Sequence, residues 1–248
     1  MKRSLLFCLA FATLAACTAP KKLLVAEVPQ GRFYKIDSTV GTSEKLTNFL
    51  TPYKAGVDTQ MQVIVARLDG PVTKAQPEST MGNLVADAQL EAAKKIDPKV
   101  VAAVSNYGGL RIPMIPKGPV TLGKIYELMP FDNTVCIVEI PGKVVQEYCN
   151  AMAKRKGWPV SGISFTITKD GEATDILIGG QKVDPARLYK FSLNDYNARG
   201  GDNCDFLIPL KKRYTTVFIR DAIIGHLSPS ISGKSYHPYL DNRVRYAE

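Results

Sequence analysis

The stretch Ser79 to Arg111, STMGNLVADAQLEAAKKIDPKVVAAVSNYGGLR, decides the fold. Ser79 or Thr80 can cap a helix, because a side-chain oxygen there accepts an N–H that the first turn leaves unpaired. Met81, Leu84, Val85, Ala88 and Ala92 recur at three- and four-residue spacing and make one apolar stripe. Asp97-Pro98 ends the helix, since the proline ring disfavours helical geometry in the residue before it. Lys99 to Ser105 is apolar almost throughout and reads as a strand buried on both faces. The loop Asn106-Tyr107-Gly108-Gly109-Leu110-Arg111 follows. Loops at strand ends are where a rigid scaffold presents binding groups.

Toward the N-terminus, Met61 to Leu68 alternates apolar and polar before the turn Asp69-Gly70-Pro71, as a strand does. Ser43 to Tyr53 reads as a helix with Leu46, Phe49 and Leu50 on one face, and residues 32–40 as a strand. Toward the C-terminus, Leu122 to Met129 predicts a short helix and Thr134 to Ile140 a strand. Pro141 opens a helix with Val144, Val145, Tyr148, Cys149 and Met152 on its apolar face. Strands are expected at 160–168, 174–178 and 187–193, with Gly179-Gly180 joining the middle ones. A second glycine loop, Ala198-Arg199-Gly200-Gly201-Asp202, precedes a helix over Thr216 to Leu227 and a closing strand over Asn242 to Tyr246. Helices and strands intersperse without strict alternation, which favours an α+β fold with mixed sheets over a doubly wound parallel sheet.

Composition narrows the chemistry. The chain has 248 residues, 45% of them hydrophobic, with 19 Gly and 16 Pro, so it is neither fibrous nor low in complexity. It contains two histidines, His226 and His237, and these cannot build a histidine-rich two-metal centre. His226 follows an apolar helix and reads as a surface or capping residue; His237 lies in a loop. The net charge of +9 favours anionic ligands without specifying a nucleic-acid polymer. There is no P-loop, G-x-G-x-x-G, G-x-S-x-G or H-E-x-x-H.

The first residues, MKRSLLFCLAFATLAAC, read as an export signal. Lys2 and Arg3 form a positive start, and Leu5 to Leu14 is too short to span a bilayer as a finished helix. Leu14-Ala15-Ala16-Cys17 resembles a bacterial lipobox, the alternative being a plain secretory peptide cleaved nearby. That resemblance implies a signal peptide over 1–16, a lipid on Cys17, a tether over 17–31 and a domain over 32–248. The protein is expected to be lipid-anchored in the bacterial cell envelope, facing the periplasm or exterior. Cys136, Cys149 and Cys204 remain. No C-x-x-C spacing points to zinc, and Cys136 and Cys149 read as core.

The two glycine loops carry the candidate chemistry. Asn106 offers a donor and an acceptor, and Arg111 a planar, permanently charged fork suited to phosphate or carboxylate. An ionised Asp202 only accepts, as sugar hydroxyls require. Phe131 and Tyr196 offer flat faces for a base. Read from spacing alone, the structural assignment is favoured over the binding one: turn glycines, a core Phe131, and an Arg111 paired with a local acid.

Three segments together resemble the C-terminal domain of the 5′-nucleotidase family. They are Ser79 to Ala88, like its M-G-N-L-x-x-D-A helix start; Asn106 to Arg111 with Leu128-Met129-Pro130-Phe131-Asp132-Asn133, like N-x-G-G-I-R and L-P-F-x-N; and Tyr196 to Asp202, like F-x-A-x-G-G-D-G. The resemblance implies a four-layer α/β/β/α sandwich with mixed sheets. It implies that Phe131 and Tyr196 sandwich a base, that Asn106 meets the base or ribose, Arg111 the phosphate side and Asp202 the ribose hydroxyls. Gly108, Gly109, Gly200 and Gly201 would let backbone approach the ligand. Several positions depart from the family pattern: Tyr196 stands for Phe, Tyr107 for Gly, Asn203-Cys204 for Gly-aromatic, and Pro77-Glu78 where an arginine is usual.

In that family a separate N-terminal calcineurin-like metallophosphoesterase domain carries two metal ions and the catalytic groups. The expectation is therefore a chain with no cofactor and no catalytic residue of its own. It would be the nucleoside- or nucleotide-binding half of a split 5′-nucleotidase, inactive alone, acting with a metallophosphoesterase chain that holds the divalent metal pair. An exposed apolar patch over residues 43–60 would favour this reading. The alternatives are a non-catalytic nucleotide-binding surface lipoprotein and an interaction lipoprotein with a relic pocket.

Overall fold

The computed structural model describes Gly31 and residues 33–248. The signal, lipidation and tether expectations over residues 1–30 lie outside the described residues. The chain divides into two units, residues 1–48 and Phe49–Glu248.

In the first unit no strand forms over residues 33–40. Asp37 accepts the Thr39 N–H at 3.0 Å and its hydroxyl at 2.6 Å, a local turn that competes with strand pairing. Helix α1 (Glu44–Met61) begins here and runs eight residues past the expected Tyr53, through Pro52. The second unit starts within this helix. Phe49, Leu50, Tyr53 and Val57 recur at helical spacing, yet each is more than half exposed.

The second unit is built on a five-stranded mixed sheet. Its strands are β3 (Val100–Val104), β6 (Thr134–Pro141), β7 (Val160–Ser161), β11 (Leu188–Asn194) and β12 (Lys212–Phe218), in the order β12-β6-β11-β3-β7. β3 and β11 run parallel, and the other neighbours are antiparallel. A four-stranded sheet, order β10-β9-β8-β13, contains β8 (Ile163–Ile167), β9 (Ala173–Ile178), β10 (Gln181–Lys182) and β13 (Val244–Tyr246). Two short pairs complete the strands: β1 (Ile64–Leu68) with β5 (Gly118–Thr121), and β2 (Val72–Thr73) with β4 (Met114–Ile115).

The period-two alternation of β6 sends Cys136, Val138 and Ile140 into one core and Val135 and Ile137 into the other. The second core is closed by α2 (Thr80–Ile96), α3 (Leu122–Leu128) and α6 (Ile219–Leu227). It holds Met81, Leu84, Val85, Ile125 and Ile223. The first is closed by α4 (Gly142–Lys154) and the four-stranded sheet, with Tyr148, Met152, Phe165 and Trp158. This is the α+β sandwich with mixed sheets that the sequence implied. Ser79 caps α2, accepting from Gly82 N at 2.9 Å.

Two expected elements change shape. The strand over 160–168 breaks at Gly162, whose φ of +73° favours glycine and whose Cβ would fall 2.2 Å from the Val101 carbonyl oxygen. One half joins each sheet. The expected helix over 216–227 starts at Ile219, because Thr216 to Phe218 finish β12, where Thr215 Oγ1 donates to the Val135 carbonyl at 2.8 Å. Pro141 ends β6 and opens α4 as its N-cap residue, as expected.

The three cysteines are free and buried. Burial pushes the Cys136 and Cys204 thiols up to about 11 and Cys149 higher still, which leaves them inert. His226 lies against Glu91 at 2.6 Å and packs edge-on to Tyr236. His237 is exposed beside Asp69. No helix among the described residues is long and apolar enough to cross a membrane.

Candidate functional site

The sheet topology brings the three motifs together. β3 and β11 are parallel neighbours, with Leu193 opposite Val104, so both C-terminal ends meet at one edge. β6 runs antiparallel to β11, with Val135 opposite Asn194, so its start reaches the same edge. The loop after β3, the segment before β6 and the loop after β11 therefore converge. Carboxyl ends of sheet strands are a recurrent place for ligands.

Between them lies a cleft of about 350 Å³ lined by Asn106, Gly108, Gly109, Arg111, Phe131, Asn133, Tyr196 and Asp202. Phe131 and Tyr196 are 43% and 46% exposed, too open for core residues. Arg111 stands 5.6 Å from the Phe131 ring centre and donates to the Gly108 carbonyl at 3.2 Å. No acid lies within ion-pair distance of it among the described residues. Tyr107 turns away from the cleft and lies under Lys74, whose Nζ is 4.1 Å from the ring centre. Gly200 and Gly201 do not line the cleft; Gly200 has φ +94° and packs near Asp205 and Ile208. Gly201 packs so closely on Tyr196 that a Cβ would sit 2.5 Å from the ring.

Asp202 is the most constrained of these residues. It and Asn203 have φ of 57° and 60°, left-handed values that Asp and Asn tolerate better than most residues. Arg155 Nη2 donates to its carbonyl at 2.6 Å, and its own N–H donates to the Tyr196 hydroxyl at 3.3 Å. Its carboxylate accepts from Asn106 Nδ2 at 2.8 Å. Asn106 is 7% exposed, and its Oδ1 accepts from Asn194 Nδ2 at 2.9 Å. Its role is thus to hold the acid as well as to border the cleft.

Several supporting residues escaped the sequence reading. Asn194 closes β11 and caps α5 (Asp195–Ala198), accepting from Asn197 N at 2.7 Å. The Asn197 side chain donates to the Gly201 carbonyl at 3.2 Å, while its Oδ1 is buried without a hydrogen-bond partner. Lys74 donates to the Leu110 carbonyl at 2.7 Å; burial and the nearby Arg111 charge lower its ammonium below the ordinary lysine range. Arg220 donates to the Phe131 carbonyl at 3.0 Å and pairs with Asp132. The capping pattern at Asn194 was the one legible signal; the other contacts link residues far apart in sequence.

Among the described residues no group of three or more His, Cys, Asp or Glu side chains is placed to hold a metal ion. The site can stack a planar ring, accept from hydroxyls and pair an anion.

Fold and cleft define an α+β sandwich domain with an open cleft at the strand ends. The model of the 5′-nucleotidase C-terminal domain matches residues 60–208, more than half of the sequence, and the chain belongs to that family. A 5′-nucleotidase of Vibrio vulnificus is 31% identical over 181 residues, covering 67% of this chain and 31% of the relative. Protein UshA of Escherichia coli is 30% identical over 175 residues, covering 66% and 30%. The chain thus spans about a third of the length of these relatives. In the solved structure of a 5′-nucleotidase precursor from Thermus thermophilus, a likeness of fold covers 82% of this chain and 43% of that one. Its TM-score is 0.72 at 24% identity.

Proposed function

We propose that this chain is the nucleoside- or nucleotide-holding half of a split 5′-nucleotidase. A separate calcineurin-like metallophosphoesterase chain would supply the divalent metal pair and the hydrolysis of the 5′-phosphate. The observation that carries the reading is the cleft itself, where two half-exposed aromatic rings face a site that also holds an acceptor, Asp202, and a cation, Arg111, with no acid partner among the described residues. Phe131 and Tyr196 would stack on the base, Asp202 would accept from the ribose hydroxyls, and Arg111 would lie toward the phosphate. Gly108, Gly109, Gly200 and Gly201 shape the backbone around them. The names of the relatives support the nucleotide class. The exposed apolar face of α1, with Phe49, Leu50, Tyr53 and Val57, supports docking of the partner chain. The N-terminal reading completes the proposal, with residues 1–16 removed, Cys17 lipidated and the domain held at the cell envelope.

Calorimetry with adenosine and AMP tests the site. Both should bind the purified domain, and Phe131→Ala and Tyr196→Ala should each weaken them. AMP hydrolysis should appear when a metallophosphoesterase chain is added. Unchanged affinity in both variants would remove the stacking model. Robust metal-dependent hydrolysis by this chain alone would remove the split-enzyme model.

A further inference from the structure

The amide chain behind Asp202 has a direction, and one backbone group sets it. The Asn197 N–H can only donate, and it donates to Asn194 Oδ1 at 2.7 Å. Asn194 must therefore turn its Nδ2 toward Asn106, at 2.9 Å. Asn106 must then receive it on Oδ1 and point its own Nδ2 at Asp202 Oδ2, at 2.8 Å. The orientation of an amide is fixed by its partners, and here each partner in turn has no choice. The two side-chain amides belong to residues only 2% and 7% exposed, so water is a poor substitute for either.

We infer that Asn194, which does not line the cleft, is a positioning residue that fixes the donor–acceptor polarity of the site. By forcing the short donor onto Asp202 Oδ2, where Asn197 Nδ2 adds only a long contact at 3.5 Å, it anchors the acid as an acceptor and leaves Oδ1 to take a ligand hydroxyl. Oδ1 has only long contacts, 3.5 Å from the Tyr196 hydroxyl and 3.9 Å from Arg155 Nη1. The preference for a hydroxyl-bearing ligand thus originates at the end of β11, two side chains behind the surface. The inference rests on the proposed nucleoside site for its ligand readout, but the relay exists whether or not a nucleoside binds.

Reversing the relay tests it. Asn194→Asp keeps the cap, since Asp and Asn cap equally well, but it offers Asn106 an acceptor. Asn106 then turns its NH2 toward residue 194 and sets its oxygen against the Asp202 carboxylate, acceptor facing acceptor. Adenosine, an uncharged probe, should lose roughly 10- to 100-fold in affinity, as expected for one hydrogen bond to a charged group. In the wild-type background Asp202→Asn should also weaken adenosine, because the new amide turns its oxygen inward to Asn106. In the Asn194→Asp background the same change should strengthen it, since the new amide now donates to Asn106 and leaves an oxygen for the ligand.

Melting temperature should follow the same inverted sign without any ligand. Asp202→Asn should raise the melting temperature of Asn194→Asp while leaving or lowering that of wild type. Where Asn194→Asp does not fold, Asn194→Ser keeps the cap but cannot reach Asn106, and Asp202→Asn should then cost less than in wild type. If Asp202→Asn has the same effect on melting in every background, Asn194 is a capping residue only and the inference is wrong. If wild type fails to bind adenosine while the melting sign inverts, the relay stands and the nucleoside reading falls.

Discussion

Two carboxylates, Asp87 and Asp202, sit in polar networks of similar depth, and they differ in what is left over. Asp87 on α2 accepts from Ser161 Oγ at 2.6 Å, the Tyr239 hydroxyl at 2.6 Å, and Arg243 Nη1 and Nη2 at 2.7 and 2.9 Å. Arg243 also donates to the Val160 carbonyl and to Asp241. Both Asp87 oxygens are spent, and the network ties the last strand to the first helix of the core. Asp202 has one short side-chain contact, from Asn106, and its other oxygen borders an open cleft. A buried acid whose lone pairs are all used is structural. One anchored on a single side, with its backbone held in a costly left-handed conformation, keeps capacity for a ligand.

The contrast should be sharpest on breaking the Asp87 network. Arg243→Ala leaves a carboxylate with 15% side-chain exposure without its cation, and such losses cost about 3–5 kcal/mol. Melting should fall sharply while adenosine affinity of the folded protein changes little. A variant that melts like wild type would show that the network contributes nothing.

Phe131→Ala should do the reverse. The ring is half exposed, so melting should hardly move, while adenosine affinity should drop by about 1–3 kcal/mol. Titration calorimetry beside a melting curve separates the two outcomes.

Acid should reach Asp87 in a predictable direction. Burial opposes its ionisation, but the hydrogen bonds from Arg243, Ser161 and Tyr239 outweigh that and hold the carboxyl below its ordinary 3.8. A lowered folded-state value means that the ion pair stabilises fully above the ordinary 3.8 of the unfolded chain and is lost as pH falls through the folded-state value. The melting gap between wild type and Asp87→Asn should be widest near neutrality and should narrow in acid. A gap that widens in acid would reverse the assignment.

The smallest effect belongs to Tyr196→Phe. The hydroxyl meets Asp202 N at 3.3 Å and its carboxylate at 3.5 Å, both long. Affinity for adenosine should fall by under about 1 kcal/mol, since the stacking face is kept. A loss as large as that of Tyr196→Ala would move the ring's role from stacking to hydrogen bonding.

Local rules carried the sequence reading far where one element answers to one period. The cap at Ser79, the stripe of α2, the alternation of β6 and the apolar β3 were all legible because each encodes its own burial. The reading failed where a neighbour decides. Residues 160–168 look like one strand until Gly162 is seen against Val101, and Thr216 to Phe218 look helical until β6 offers them an edge. Residues 33–40 have strand composition, but Asp37 closes a turn on Thr39 instead.

The same division runs through the site. The sequence by itself determined which residue types stand in the glycine loops and around Phe131, since they are fixed by motif and turn chemistry. Their meeting was decided by the parallel pairing of β3 with β11 and the antiparallel return of β6, which place segments tens of residues apart on one edge. Apart from the cap at Asn194, the contacts of Asn194, Arg155, Lys74 and Arg220 are not legible in the sequence, for the same reason. A side chain that acts by holding another loop's backbone or amide has no local periodicity, and its partner is chosen only when the sheet closes.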